Sequence, residues 1–385
     1  MSRVVLMRTS PDTVLPDIAR VMRDADYDAT LDRAAPTALK VNVSWHHWYP
    51  ACSTTPWQLD GVIQTLLDDG YRRDLLFAAH NRTVVVDAHV GEQANKHRPV
   101  VDAYGLRNIH LYEDEDWVRY EPSGRTRTLH EVYPEGVRIP RRLMGSNIIH
   151  LPTMKTHVFT TITGAMKNAF GGLLFEKRHY CHATIHETLV DLLMIQKEIH
   201  PGVFAVVDGT FVGDGPGPRC MDVKERGLVL AGADQVAVDA TIACLMGIDP
   251  FEIPFLKMAH EDGLGTADVR EIEVVGEDIE EVRWDVEARR ETFESRGQKL
   301  IYWGPLKRLE KVLLRTAIAP WSYAASRLYH DVYWYNVIGR GRVREALGGV
   351  WGQLFQKYPS IGRELPDVPA FSRAVLESSE QRRCT

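Results

Sequence analysis

Lys155-Thr156-His157, followed by Thr163-Gly164-Ala165-Met166-Lys167-Asn168 and Gly171-Gly172, gathers reactive side chains into one short stretch. The lysines supply positive charge, the Thr163 hydroxyl and Asn168 amide supply hydrogen-bond donors, and Gly171 and Gly172 let a backbone approach closely. Such a set suits a carboxylate or a phosphate. Two ammonium groups near one site also depress each other's pKa, so one of them can carry a proton, with His157 beside it. The GxxxxGK[ST] spacing of a P-loop is absent, and nucleotide hydrolysis is not implied. A solvated basic loop is the competing reading. His157 between the lysines, and the histidines that follow at once, weigh against it.

Three more groups carry chemistry. His46 and His47, flanked by Trp45, Trp48 and Tyr49, suit an organic substrate with histidine as acid or base, although surface aromatic packing explains the same residues. His80 and Asn81 would complete the same pocket, and Asp208 would bind a cation or orient a histidine. His179, His182 and His186 line one side of a helix if that helix begins early enough, which is compatible with a divalent metal. No HExxH pattern accompanies them, and a solvent-facing histidine-rich helix start is the commoner arrangement.

The elements that must position these groups follow from the apolar pattern. Residues 4–7, 38–43, 75–79, 148–151, 203–209, 227–232 and 272–276 read as strands, and residues 15–24, 183–199 and 236–246 as helices. Thr55 is placed as N-cap with Pro56 at the first helical position, and Gly70 stops that helix. Residues 113–142 read as a hairpin or an irregular excursion, and 213–218 as a tight loop. Strand–helix alternation predicts an open, mostly parallel, Rossmann-like α/β sheet over residues 1–298. In that architecture the lysine segment becomes a loop after strand 148–151, and the loops after Val43, Ala79, Leu151 and Val207 face one crevice. Residues 299–358 interleave basic and aromatic side chains and read as a helical extension that packs on the core or docks on a membrane surface or partner, the first being favoured. Residues 359–385 read as a polar tail.

Composition bounds the partners. The chain has 385 residues, 44% hydrophobic and 25% charged, with formal net charge -6, so a nucleic acid is not the expected partner. Five scattered cysteines without a CxxC pair argue against a thiolate zinc site or a self-contained iron–sulfur cluster. Scattered thiols and the lack of a signal-like segment point to a reducing cytoplasm.

Leu39-Lys40-Val41-Asn42, Thr54-Thr55-Pro56, the Leu151–His157 and Thr163–Gly172 stretches, Val207-Asp208-Gly209 with Gly215-Pro216, and the run from Ala231 to Ala240 together resemble the domain-of-unknown-function family numbered 362. The similarity runs from about residue 39 to 276, and the lysine–histidine segment is its most specific part. The resemblance implies a fold more than a reaction. Members often carry ferredoxin-type cysteine motifs, which this chain lacks, so electron transfer is not implied here. The element order is also weakly similar to the lactate-racemase group, where histidines and lysines serve a nickel-bearing nucleotide. The expectation is an enzyme acting on a small organic anion by isomerisation, elimination or redox chemistry. Lys155, His157, Lys167, His46 and His80 would be catalytic. Lys40, Asn42, Thr54, Thr55, Thr163, Asn168, Gly171, Gly172 and Asp208 would contact substrate, with a divalent metal at His179, His182 and His186. The alternative is a non-catalytic metal or cofactor carrier, or a peripheral membrane protein, docking through the C-terminal helices.

Overall fold

A computed structural model describes residues 1–81, 85–174, 178–286 and 325–359. The strands are β1 (Ser2–Arg8), β2 (Thr37–Val41), β3 (Leu76–His80), β4 (Arg107–His110), β5 (Trp117–Tyr120), β6 (Val137–Pro140), β7 (Asn147–Leu151), β8 (Thr153–His157), β9 (Thr161–Thr163), β10 (Val203–Asp214), β11 (Asp222–Gly232) and β12 (Ile272–Gly276). They form one sheet in the order β12-β1-β11-β10-β7-β2-β3-β4, with β8 attached to β10 and β9 to β8, while β5 and β6 pair separately. Along the main path β11 is antiparallel to both neighbours and every other pairing is parallel. The fold is the expected mostly parallel α/β sheet with a helical C-terminal stretch.

Both faces are covered, which is why the central strands are apolar on alternate residues in both directions. Ala38, Phe77, Ile148, Ala205 and Leu230 face helices Ile185–Ile199 and Gln235–Leu245. Leu39, Ala78, Ile149, Phe204 and Ala231 face helices Val14–Asp24 and Pro56–Asp68. The second of these begins as the sequence predicts. Thr55 and Gln58 form a reciprocal capping box with Pro56 at the first turn, and Gln58 also donates to the carbonyls of Pro152 (2.9 Å) and Val206 (2.7 Å). That single side chain ties the helix start to two strand ends.

Residues 113–142 contain the β5–β6 hairpin, whose Ile139 joins Leu129 in the core. The C-terminal stretch packs on the sheet's second face through Trp351, Leu354 and Phe355, and the Tyr358 hydroxyl donates to Asp60 at 2.8 Å. Of the anticipated extension, residues 299–324 lie outside the described residues, as do 360–385 of the anticipated tail.

Three expectations change. The lysine segment is not a loop: Lys155 and His157 lie on β8, which continues the β7 direction and pairs with β10 and β9. Residues 203–209 are only the first half of β10, so Asp208 sits mid-strand, and Gly213 and Asp214 belong to the strand rather than to a loop. The β10 backbone extends because β11 and β8 hold its second half from either side. Finally, the helix of the second histidine group starts at Ile185, so only His186 is on it. His179 and His182 lie on the tighter 3-10 turns of Arg178–Thr184, where spacing of three and four does not produce a common α-helical face.

Candidate functional site

β2, β3, β4 and β7 run in one direction, so their carboxyl ends open on one edge, the usual ligand side of such a sheet. Lys40 ends β2. Its side chain is 1% exposed, and its ammonium donates to the Val41 carbonyl (2.5 Å) and to Asn81 Oδ1 (2.8 Å). Asn168 donates to the Lys40 carbonyl at 2.8 Å, tying the turn Ala165–Asn168 to this strand end. Just beyond that turn, Gly171 and Gly172 are glycines for a reason. A Cβ on Gly172 would stand 2.7 Å from Lys40 Cε, and one on Gly171 would stand 2.8 Å from the Asn81 side chain. Bare backbone passes over the lysine without displacing it. The segment is held from beneath by buried Asp239, which accepts from the backbone N–H groups of Ala165 (2.5 Å) and Met166 (3.1 Å).

Lys155 is fully buried on β8, and its ammonium donates to the Cys52 carbonyl (3.1 Å) and Thr153 Oγ1 (2.5 Å). The β8–β9 register places Thr163 opposite Lys155 and Thr161 opposite His157, so these side chains share a face. The Thr163 hydroxyl is buried without a hydrogen-bond partner. Lys167 keeps part of its surface in water.

The electrostatics follow from burial. Burial, with repulsion from Arg178 added, pulls the Lys40 ammonium down to about 7. Burial pulls Lys155 down to about 8, against smaller opposing effects of the Cys52 thiol and the Asp208 carboxyl. Lys167 is lowered in the same direction by its surroundings, then by Lys155 and Arg178. Burial first, and the cations Lys167, His182 and Lys155 after it, push His157 well below the ordinary imidazole value. His157 is therefore neutral at pH 7. Its Nδ1 accepts from the Phe159 N–H at 3.2 Å, which assigns the ring proton to Nε2.

The expected residues thus divide. Lys40, Asn168, Gly171 and Gly172 meet at the β2 end. Lys155, His157, Thr163 and Lys167 form an adjoining group, electrostatically coupled to His182 and His186. Thr54 and Asn42 hold the chain instead: the Thr54 hydroxyl donates to the Leu151 carbonyl (2.6 Å) and accepts from the Asn42 N–H (2.8 Å). Thr55 caps its helix. Asp208, on the opposite parity to Val207, accepts from the Thr210 N–H at 2.7 Å, and burial raises its carboxyl. His46 stands apart with the C-terminal stretch, its Nε2 3.5 Å from Asp331 Oδ2, while His47 stacks on Tyr335. Among the described residues, the groups of potential metal donors include neither His182 nor His186, and the His179 side chain lies outside the described set.

His80 ends β3 beside His110, which ends β4, and both approach Glu92 on helix Ala88–Ala94. Burial drives the His80 imidazole well down. Burial would raise Glu92, but the His110 and His80 rings and the Asn108 amide outweigh it and hold the carboxyl at about 2. Glu92, Asn108 and His110 were not singled out by the sequence. A signal existed: Leu76-Phe77-Ala78-Ala79-His80 and Arg107-Asn108-Ile109-His110 are both short strands closed by histidine.

The model of the family described as Domain of unknown function (DUF362) matches residues 37–244, which include every lysine above and the His80–Glu92–His110 group. The Thylakoid-associated protein sll1697 of Synechocystis sp. is 31% identical over 137 residues, 34% of this chain and 41% of that protein. The match thus spans less than half of that relative's length. A crystal structure of a Thermotoga maritima protein shares 12% identity at a TM-score of 0.33, covering 56% of this chain and 55% of the other. Similarity to that relative is partial, whereas the family match covers more than half of the sequence and all of the strand ends described. The chain belongs to the DUF362 family.

Proposed function

We propose that the chain is a cytoplasmic enzyme that binds a small organic anion at Lys40, Lys155 and Lys167 and moves a proton within it. One observation carries the reading. Two fully buried ammonium groups bond only to carbonyl, amide and hydroxyl oxygens, and none of the three lysines enters an ion pair among the described residues. An unpaired buried ammonium costs several kcal/mol, on the order of what a bound carboxylate or phosphate would return. Lys40 at about 7 and Lys155 at about 8 can each hold or release a proton near neutrality, as acid–base groups must. Neutral His157 presents an N–H donor beside them. Proton abstraction leading to isomerisation or elimination fits this set of lysines and a neutral histidine. The scattered thiols of Cys52, Cys181, Cys220 and Cys244 fit a reducing compartment.

Calorimetric titration with inorganic phosphate and malonate tests the reading. Wild-type protein is expected to bind at least one of them, with affinity falling tenfold or more in Lys155→Met and Lys167→Met. Equal binding by folded variants, or none by wild type, would sink it.

A second reading rests on the C-terminal stretch. Leu328 (62%), Val332 (58%) and Val337 (65%) are exposed next to Arg340 and Arg344, an arrangement suited to a membrane surface. The name of the Synechocystis relative associates that protein with the thylakoid. No described helix is long and apolar enough to cross a membrane. Co-sedimentation with anionic liposomes, lost on changing the three apolar residues to serine, would favour surface attachment; recovery in the supernatant would exclude it.

A further inference from the structure

We propose that His80, Glu92 and His110 form a binding site for a divalent first-row transition ion of the zinc type, distinct from the lysine group and independent of the anion reading. The parallel β3–β4 register sets His80 directly beside His110, with ring centroids 5.2 Å apart. Helix Ala88–Ala94 begins where Asp87 accepts from the His89 and Val90 N–H groups, and this start delivers Glu92 to the same point. His80 is 0% exposed, Glu92 1% and His110 7%.

The distances fit an ion. His110 Nε2 lies 3.1 Å and His80 Nε2 3.7 Å from Glu92 Oε2, and all the donor atoms fall within 4.8 Å of one another. Ligands at about 2.0–2.2 Å from a tetrahedral zinc are separated by roughly 3.3–3.5 Å, between those two values. Hydrogen bonding accounts for only part of the arrangement. His110 Nε2 meets the Glu92 carboxylate, but both ring nitrogens of His80 lack a hydrogen-bond partner, although buried imidazole nitrogens are ordinarily bonded. A cation would satisfy both Nε2 lone pairs and the carboxylate charge together. The Asn108 amide donates to Glu92 Oε2 at 2.7 Å and fixes that carboxylate, as supporting groups around metals do. Two imidazoles and one carboxylate leave a coordination position open, the pattern of a reactive rather than purely structural centre.

Two other donor groups fit less well. In the group His89, His110 and Glu113, the outer pair is exposed and already bonded at 2.8 Å. In the group His46, His47 and Asp331, all three residues are only half-buried, so water can satisfy them.

The test uses the full chain, stripped with a chelator and titrated with Co2+, then Zn2+, with Mg2+ as control. Expected are one equivalent of Co2+, visible bands of four-coordinate nitrogen–oxygen ligation, displacement by Zn2+, and a higher melting temperature with Zn2+ but not Mg2+. Glu92→Gln and His110→Asn should weaken Co2+ binding tenfold or more, while His89→Ala and His46→Ala bind as wild type. Should a core variant not fold, the wild-type cobalt spectrum decides: nitrogen–oxygen bands support the site, and a thiolate band or no band overturns it. Loss of uptake in His89→Ala or His46→Ala overturns it equally.

Discussion

Two polar clusters lie side by side at the same edge of the sheet, and they are unbalanced in opposite senses. Around Lys40 and Lys155, buried positive charge meets neutral oxygens. Around Glu92, a buried carboxylate meets two imidazoles, and both nitrogens of one, His80, lack hydrogen bonds. A folded chain tolerates either arrangement only when the rest of the sheet is stable enough to hold it, and each asks for a different complement. The lysines would be matched by an anion, the imidazole–carboxylate group by a cation. Functional strain is readable here as missing partners.

The largest expected effect is a difference of sign. Without added metal, Glu92→Gln should destabilise the chain by about 3 kcal/mol, because it removes the charge that its buried neighbours surround. Lys155→Met keeps the volume and removes an unpaired charge, so it should stabilise by about 1–2 kcal/mol while weakening anion binding. Urea unfolding measures both. A destabilising Lys155→Met would mean that its bonds to Cys52 and Thr153 outweigh its desolvation, and the contrast would collapse.

pH separates the clusters next. An ordinary lysine titrates near 10.5, whereas Lys40 and Lys155 release their protons at about 7 and 8 when folded. Between pH 7 and 10.5 the unfolded chain therefore binds more protons than the native one, and stability must rise with pH across that window. The rise should be on the order of 1 kcal/mol per pH unit for each lysine, and it vanishes below pH 7, where both states are protonated. Urea midpoints at pH 7, 8 and 9 check it. Lys155→Met should flatten the slope, and saturating phosphate, by favouring the charged lysines, should flatten it too. An unchanged slope in the variant would remove Lys155 from the account.

The sequence made much of this legible. The alternation of strands and helices, the Thr55-Pro56 helix start and the lysine–histidine residues were all readable, because they rest on local periodicity and capping. What escaped rests on pairing between distant residues. Thr153–His157 has little apolar content of its own and is a strand only because β10 continues past Asp208 to meet it. Glu92 and His110 join His80 only through the β3–β4 register and the placement of one short helix, neither of which is local. The histidines at 179, 182 and 186 misled for the converse reason: regular spacing implies a shared face only if the backbone is α-helical throughout, and it is not.

The smallest expected effect is also the most specific to the lysine cluster. Gly172 has no positive φ and could accept a side chain on backbone grounds, but its Cβ would press on Lys40 Cε at 2.7 Å. Since the lysine stem is flexible, Gly172→Ala should be accommodated by a rotamer shift costing about 1 kcal/mol or less. That shift would take the ammonium away from Asn81 Oδ1 and Val41 O, so phosphate or malonate affinity should fall several-fold while the melting temperature hardly moves. Metal uptake at His80, Glu92 and His110 should be unaffected, because none of those residues contacts Gly172 closely. Affinity unchanged by Gly172→Ala would show that the exact position of the Lys40 ammonium does not matter to the anion, leaving Lys155 and Lys167 as the groups that hold it.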